Sequence, residues 1–206
     1  MIVCKFGGTS VQDAEAMERV VGIIRQRLRE KPVIVASAMG KTTNGLVEAA
    51  QTAADGKRQE ALDLLNKLRE KHLKEVQKLG LAESDDTLCE TLNSYFKELR
   101  DLLRGLSILG ELTPRSMSAM ACAGERLSTL ILAALLPSRG IAAELMDARQ
   151  CIITDDNFTR AAPIFDLTEA AIKKHVLPVI QSGKVPVLQG FIGSTRSGIT
   201  TTIGRG

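Results

Sequence analysis

Three short stretches carry side chains suited to handling a small charged molecule. Lys5 stands just ahead of Gly7-Gly8 in VCKFGGTS, residues 3–10. Amides freed by two glycines beside a helix start can face an anion, and a neighbouring lysine adds a full positive charge. The same pattern also suits a tight turn with a surface lysine. Glu125 follows Gly124 in CAGERLST, residues 122–129, within an otherwise apolar helix. Its carboxylate either forms an exposed pair with Arg126 or points into a cleft to receive an ammonium group, with Gly124 allowing close approach. Arg205 lies between Gly204 and Gly206, after Gly190-Phe191-Ile192-Gly193 and the run Thr200-Thr201-Thr202. A guanidinium on a glycine-flanked loop can grip a carboxylate through two parallel bonds, while the threonines also serve simply as strand formers.

Gly40-Lys41-Thr42 invites comparison with a nucleotide-binding P-loop. That motif needs a further glycine five residues before Gly40. Val35 stands there, inside a predicted strand, so the phosphate-wrapping loop cannot form.

The elements that must position these groups follow from periodicity. Residues 1–6 read as a buried strand ending near Lys5. Ser10 and Asp13 resemble a capping box, and Met17, Val20, Val21, Ile24 and Leu28 recur at helical spacing. Pro32 closes that helix. Val33 to Ala36 form a continuous apolar run, as in a strand buried on both faces. A loop over 37–44 and a helix over about 45–54 complete a β-loop-α-β-loop-α pattern. Such a pattern puts both loops at the carboxyl ends of parallel strands, where open α/β sheets bind ligands.

Residues 57–110 differ in kind. Ala61, Leu65, Leu68, His72, Val76 and Leu79 make one helical stripe, with His72 read as a packing residue. After a break at Gly80 and 84–86, Leu88, Leu92, Tyr95, Leu99, Leu102, Leu106 and Leu109 form a heptad-like seam. The seam suits a helical hairpin packed on its own domain, or a contact between subunits. Thr113-Pro114 has the pattern of an N-cap followed by proline at the first helical position, starting a helix to about Leu136. Strands are expected at 142–146, 151–154, 185–189 and 199–203. A helix is expected at 166–182 with an irregularity at Pro178, and a turn at Ser197-Gly198.

The chain has 206 residues, 44% hydrophobic and 25% charged, with a net charge of +3. That fits an α/β globular core and is too weak a charge to argue for nucleic acid. Aromatics are only 3%, so base-stacking platforms are scarce. Cys4, Cys89, Cys122 and Cys151 lack metal-ligand spacing and read as buried free thiols of a reducing compartment. His72 and His175 are far apart, so no metal centre is expected. No run is expected to reach the roughly 20 residues of a membrane span. Nor does a leader follow Met1, which predicts a cytoplasmic protein.

Taken together, KFGGTS (5–10), SAMGKTTN (37–44), GERLS (124–128), GFIGS (190–194) and TTTIGRG (200–206) resemble, in order, the motifs of the aspartate kinases of the amino-acid kinase superfamily. The resemblance covers the whole chain. It implies the N-terminal, aspartate-binding lobe of an αβα sandwich with a mainly parallel sheet. The helical stretch at about 57–110 looks like the insertion of monofunctional, lysine-sensitive members. The implied reaction moves the γ-phosphoryl group of ATP, as its Mg²⁺ complex, to the β-carboxylate of L-aspartate. That gives 4-phospho-L-aspartate on the route to lysine, threonine and methionine. Carried over by motif, Lys5, Gly7, Gly8 and Thr9 would bind phosphates, with Lys5 offsetting transition-state charge. Ser37 and Thr43 would contact aspartate, Glu125 would hold its ammonium, and Arg205 its α-carboxylate. Phe191 and Thr202 would shape the pocket.

A carboxylate nucleophile is already ionised at neutral pH, its reference pKa being about 4, so no general base is needed. Phosphoryl transfer then rests on alignment and charge neutralisation. The family continues past GRG with Gly-Ser-Asp, a nucleotide lobe and regulatory ACT domains. The expectation is therefore a lobe with little or no kinase activity alone, from a parent that is a homo-oligomer. The competing expectations are an amino-acid kinase for glutamate, carbamate or a nucleotide, and a non-catalytic assembly module using the seam.

Overall fold

The computed structural model describes residues 1–82 and 86–203, with Asp86 described by its backbone alone. The break expected at 84–86 and the Arg205 position therefore lie wholly or largely outside the described residues. Strand β1 (Ile2–Phe6) and β2 (Pro32–Ala36) pair in parallel, with Lys5 opposite Val35. Strands β5 (Val185–Gln189) and β3 (Ala143–Leu145) extend the sheet in the order β1-β2-β5-β3, every pair parallel. A second sheet joins β4 (Ile153–Thr154), β6 (Ile192–Thr195) and β7 (Thr200–Thr202), with β6 and β7 antiparallel. This is the expected α/β arrangement with a mainly parallel sheet.

Helix α5 (Pro114–Ser138) packs on one face of the first sheet and α6 (Phe165–Gln181) on the other. Helices α1 (Ala14–Arg27) and α2 (Thr42–Ala54) share the α5 side, where Met17, Ile24, Ile34, Leu46, Leu127 and Val187 belong to one core. Helices α3 (Arg58–Lys78) and α4 (Asp86–Leu109) form the hairpin, which packs on α2 and α5. Thr113 caps α5 as its sequence implies, accepting from Ser116 N–H at 3.1 Å.

Several expectations need correction. β1 is an edge strand rather than a buried one: Val3 is 68% exposed and Lys5 shares that open face. Alternation turns Cys4 and Phe6 to the core, and β2 covers only one edge. Asp13, not Ser10, caps α1, its carboxylate accepting from Ala16 N–H at 2.8 Å. α1 gives way at Arg27 to a 3-10 turn, which leaves Leu28 exposed. The α4 seam is shifted: Phe96 and Leu103 are buried with Leu88, Leu92, Leu99 and Leu106, while Leu102 is 41% and Leu109 70% exposed. Steps of four and three allow either choice at 95/96 and 102/103, and packing against α2, α3 and α5 selects the inner one. This favours the hairpin on its own domain. α2 begins at Thr42, three residues early, and α6 runs through Pro178 in its last turn.

His72 is a packing residue, as expected. It is buried edge-on to Phe96 with ring centroids 5.6 Å apart, and Nδ1 lies 2.7 Å from Leu68 O. All four thiols are free; burial of Cys122 and Cys151 pushes each up to about 11. Contrary to the sequence expectation, α5 is long and apolar enough by composition to cross a membrane. However, 78% of its apolar window is buried inside the fold, as in a core helix.

Candidate active site

A cleft of about 450 Å³ opens at the carboxyl ends of β1, β2 and β5, beside α5. Lys5, Ser37, Thr43, Glu125 and Phe191 line it together with Ala38, Gly40, Asn44, Gly190 and Ile203. Parallel strands send their following loops to one end of the sheet, so residues far apart in sequence converge there.

The loops after β1 and β2 meet backbone to backbone. Gly40 N–H donates to Gly8 O at 3.1 Å, and Ser37 N–H to Phe6 O at 3.0 Å. A Cβ on Gly8 would stand 3.1 Å from Ala38 O, so glycine is what permits this approach. α5 then closes on the same loop. A Cβ on Gly124 would lie 2.9 Å from the Ala38 Cβ and 3.1 Å from Thr43 Oγ1. Ser128, one turn on, donates to Ser37 O at 2.7 Å. Gln189, at the end of β5, donates to Thr129 Oγ1 at 2.8 Å and accepts from Ala148 N–H at 2.8 Å. These bonds fix α5 against both loop and sheet.

Glu125 is 5% exposed and faces the cleft. Its Oε2 accepts from Phe191 N–H at 2.7 Å. Burial pushes its carboxyl up to about 7; amide donors at Phe191 and Gly190, the Ser37 hydroxyl and the charge of Lys5 pull the other way. Its neighbour Arg126 takes no part. The guanidinium stacks 4.1 Å from the Tyr95 ring centroid and lies 3.4 Å from Glu98. The alternative of an exposed Glu125–Arg126 pair is thus excluded. The cleft brings the Lys5 ammonium and the buried Glu125 carboxylate together, which suits a small ligand bearing charges of both signs.

Of the expected site residues, Lys5, Ser37, Thr43, Glu125 and Phe191 come together. Gly7, Gly8 and Thr9 sit on the adjoining loop without lining the cleft. Ser10 N–H donates to Gly7 O at 2.9 Å, closing a turn there. Thr202 is buried beside it, its Oγ1 3.2 Å from the Ser118 hydroxyl. Its neighbour Ile203 reaches the cleft and donates its N–H to Phe191 O at 2.9 Å. Arg205 is outside the described residues. Asn44 and Ile203 line the cleft beyond the expected residues, although Asn44 closes the SAMGKTTN stretch within the first turn of α2. Among the described residues, no group of three or more His, Cys, Asp or Glu side chains could hold a metal ion.

The profile of the "Amino acid kinase family" matches residues 1–206. Aspartokinase 1, chloroplastic, of Arabidopsis thaliana is 37% identical over 209 residues, covering 99% of this chain and 36% of that relative. The structure of Escherichia coli aspartokinase III with lysine and aspartate (T-state) superposes with a TM-score of 0.90. It is 29% identical and covers all of this chain and 44% of that one. The R-state of the E. coli enzyme with aspartate and ADP gives 0.88, with the same identity and coverage. The chain thus spans less than half the length of these relatives.

Proposed function

The chain belongs to the amino acid kinase family, and from that premise we propose that it carries the aspartate-binding part of an aspartate kinase. The reaction proposed for the whole protein is transfer of the ATP γ-phosphoryl group to the L-aspartate β-carboxylate. The observation that carries this reading is that buried Glu125 and Lys5 line one cleft. Similarity to aspartokinases whose structures hold aspartate, and in one case ADP, supports it.

Glu125, ionised, receives the aspartate ammonium, while Ser37 and Thr43 offer hydroxyls to the ligand. Arg205 is assigned the α-carboxylate by motif alone. The β-carboxylate oxygen attacks the γ-phosphorus as the bond to the bridging oxygen of ADP breaks. Lys5 offsets the charge that spreads over the transferring group, with Gly7, Gly8 and Thr9 on the phosphate side. Phe191 and Thr202 shape the aspartate pocket, Thr202 from behind the lining. MgATP enters as substrate. The proposed product, 4-phospho-L-aspartate, feeds lysine, threonine and methionine synthesis. The proposed setting is a homo-oligomer in the cytoplasm, with the hairpin as the insertion of lysine-sensitive members; the Arabidopsis relative is itself named chloroplastic.

Calorimetric titration with L-aspartate and L-glutamate tests the reading. Preference for aspartate is expected, and preference for glutamate would turn the assignment to another amino-acid kinase. For these 206 residues alone the proposal is binding without appreciable turnover. An ATP-dependent hydroxamate assay showing turnover like that of whole aspartokinases would contradict this.

A further inference from the structure

The helical hairpin seats against Gly40, at the margin of the cleft, a cation that the mechanism above leaves unused. Lys71, on α3, is half-buried, and its Nζ lies 2.9 Å from the place a Cβ on Gly40 would occupy. Gly40 lines the cleft and bonds to Gly8, so the ammonium is seated against the junction of the two glycine loops. Gly40 holds φ +57°, which favours glycine on its own account; any side chain there would also displace the ammonium. None of the described ion pairs neutralises Lys71. Glu75, one turn along, is already engaged by Ala14 N–H and Lys78, each at 2.8 Å. A lysine on a flexible four-carbon stem can pivot from such a position toward an anion.

We propose that Lys71 is a second phosphate-binding cation, supplied by the hairpin, which holds a nucleotide's polyphosphate over the Gly8–Gly40 junction while Lys5 meets it from β1. The proposal rests on the phosphoryl-transfer reading of this cleft. It gives the hairpin a part in ligand binding as well as in packing.

The test uses inorganic tripolyphosphate as probe on the 206-residue chain, by calorimetry at low salt. Lys71→Met should weaken tripolyphosphate about threefold to tenfold, the size of one charge-assisted contact at a half-exposed site. Lys71→Arg should retain most of the affinity, the difference should shrink as NaCl is added, and L-aspartate binding should be unchanged. Tripolyphosphate affinity within about twofold of the parent, or an equal loss for aspartate, would overturn the proposal and leave Lys71 a support for the loop. Loss with Lys5→Met but not Lys71→Met would reject Lys71 alone. No tripolyphosphate binding by the parent would reject the phosphate side of the cleft as well. A second measurement avoids mutation: lysine acetylation followed by mass spectrometry. Tripolyphosphate should slow labelling of Lys71 and not of Lys97, exposed on α4. Unchanged labelling of Lys71 would contradict the proposal.

Discussion

The Glu125 carboxylate accepts the backbone N–H of Phe191 at 2.7 Å, so one buried side chain joins helix α5 to the turn between β5 and β6. Both residues line the cleft. The bond aims the carboxylate and leaves its charge available to a ligand. Glu125→Gln keeps an acceptor for Phe191 and removes the charge. Aspartate affinity should fall about 10- to 100-fold, as for loss of a hydrogen bond to a charged group. The melting temperature should hold or rise, because a desolvated charge is gone. Calorimetry and thermal denaturation on the same sample check both outcomes.

The same burial makes stability depend on pH. Glu125 is raised from 4.5 to about 7, so the folded state keeps a proton that the unfolded chain releases. The stability this proton confers is complete below 4.5 and is lost as pH rises through about 7. His72 acts oppositely: burial lowers it from 6.5 to about 4, so its contribution is present above 6.5 and lost as pH falls through about 4. Melting curves across this range should show Glu125→Gln gaining stability with pH more steeply than the parent, and His72→Phe less steeply. Aspartate affinity should also grow as pH rises through about 7 and Glu125 ionises. Parallel profiles for parent and variants would refute this assignment.

Gly124→Ala should harm the site through sterics alone. The added methyl meets Ala38 Cβ at 2.9 Å and Thr43 Oγ1 at 3.1 Å. Overpacking of this kind costs about 1–3 kcal/mol and pushes the loop carrying Ser37 away from α5. Urea denaturation should show that loss, and aspartate binding should weaken even where the protein remains fully folded.

Ser128→Ala removes the bond to Ser37 O without touching the cleft. The expected cost is about 1 kcal/mol in urea denaturation, with weaker aspartate binding because Ser37 is less firmly placed. Full aspartate affinity in this variant would show that Ser37 needs no such support.

Most of the fold was legible because the strands and helices carry clean periodicities: the apolar run at 33–36 and the cap at Thr113 correspond to β2 and α5. The errors fall where local pattern is degenerate. Tyr95 and Phe96, or Leu102 and Leu103, satisfy the same spacing, and only packing decides between them. Edge or centre placement of β1 depends on which strands lie beside it, which five residues cannot encode. The convergence of Lys5, Ser37 and Glu125 followed from parallel topology plus motif. The burial of Glu125 was open in sequence, since an adjacent arginine fits an exposed pair equally well. The roles of Ser128 and Lys71 arise from contacts across 91 residues and between a helix and a loop, which no local pattern signals.

The shifted seam on α4 is testable by a matched pair. Leu103→Ala should cost about 2–5 kcal/mol as a buried truncation, whereas Leu102→Ala should change stability by less than about 0.5 kcal/mol. Urea denaturation of the two variants measures the difference. A larger cost for Leu102→Ala than for Leu103→Ala would restore the unshifted register.

Amide NMR spectra during an L-aspartate titration test whether an aspartate site is built on Glu125. Saturable shifts are expected at the Ser37, Thr43 and Phe191 amides, stronger with L-aspartate than with L-glutamate and lost in Glu125→Gln. Unmoved amides at these three residues, or the same response in Glu125→Gln, would contradict it.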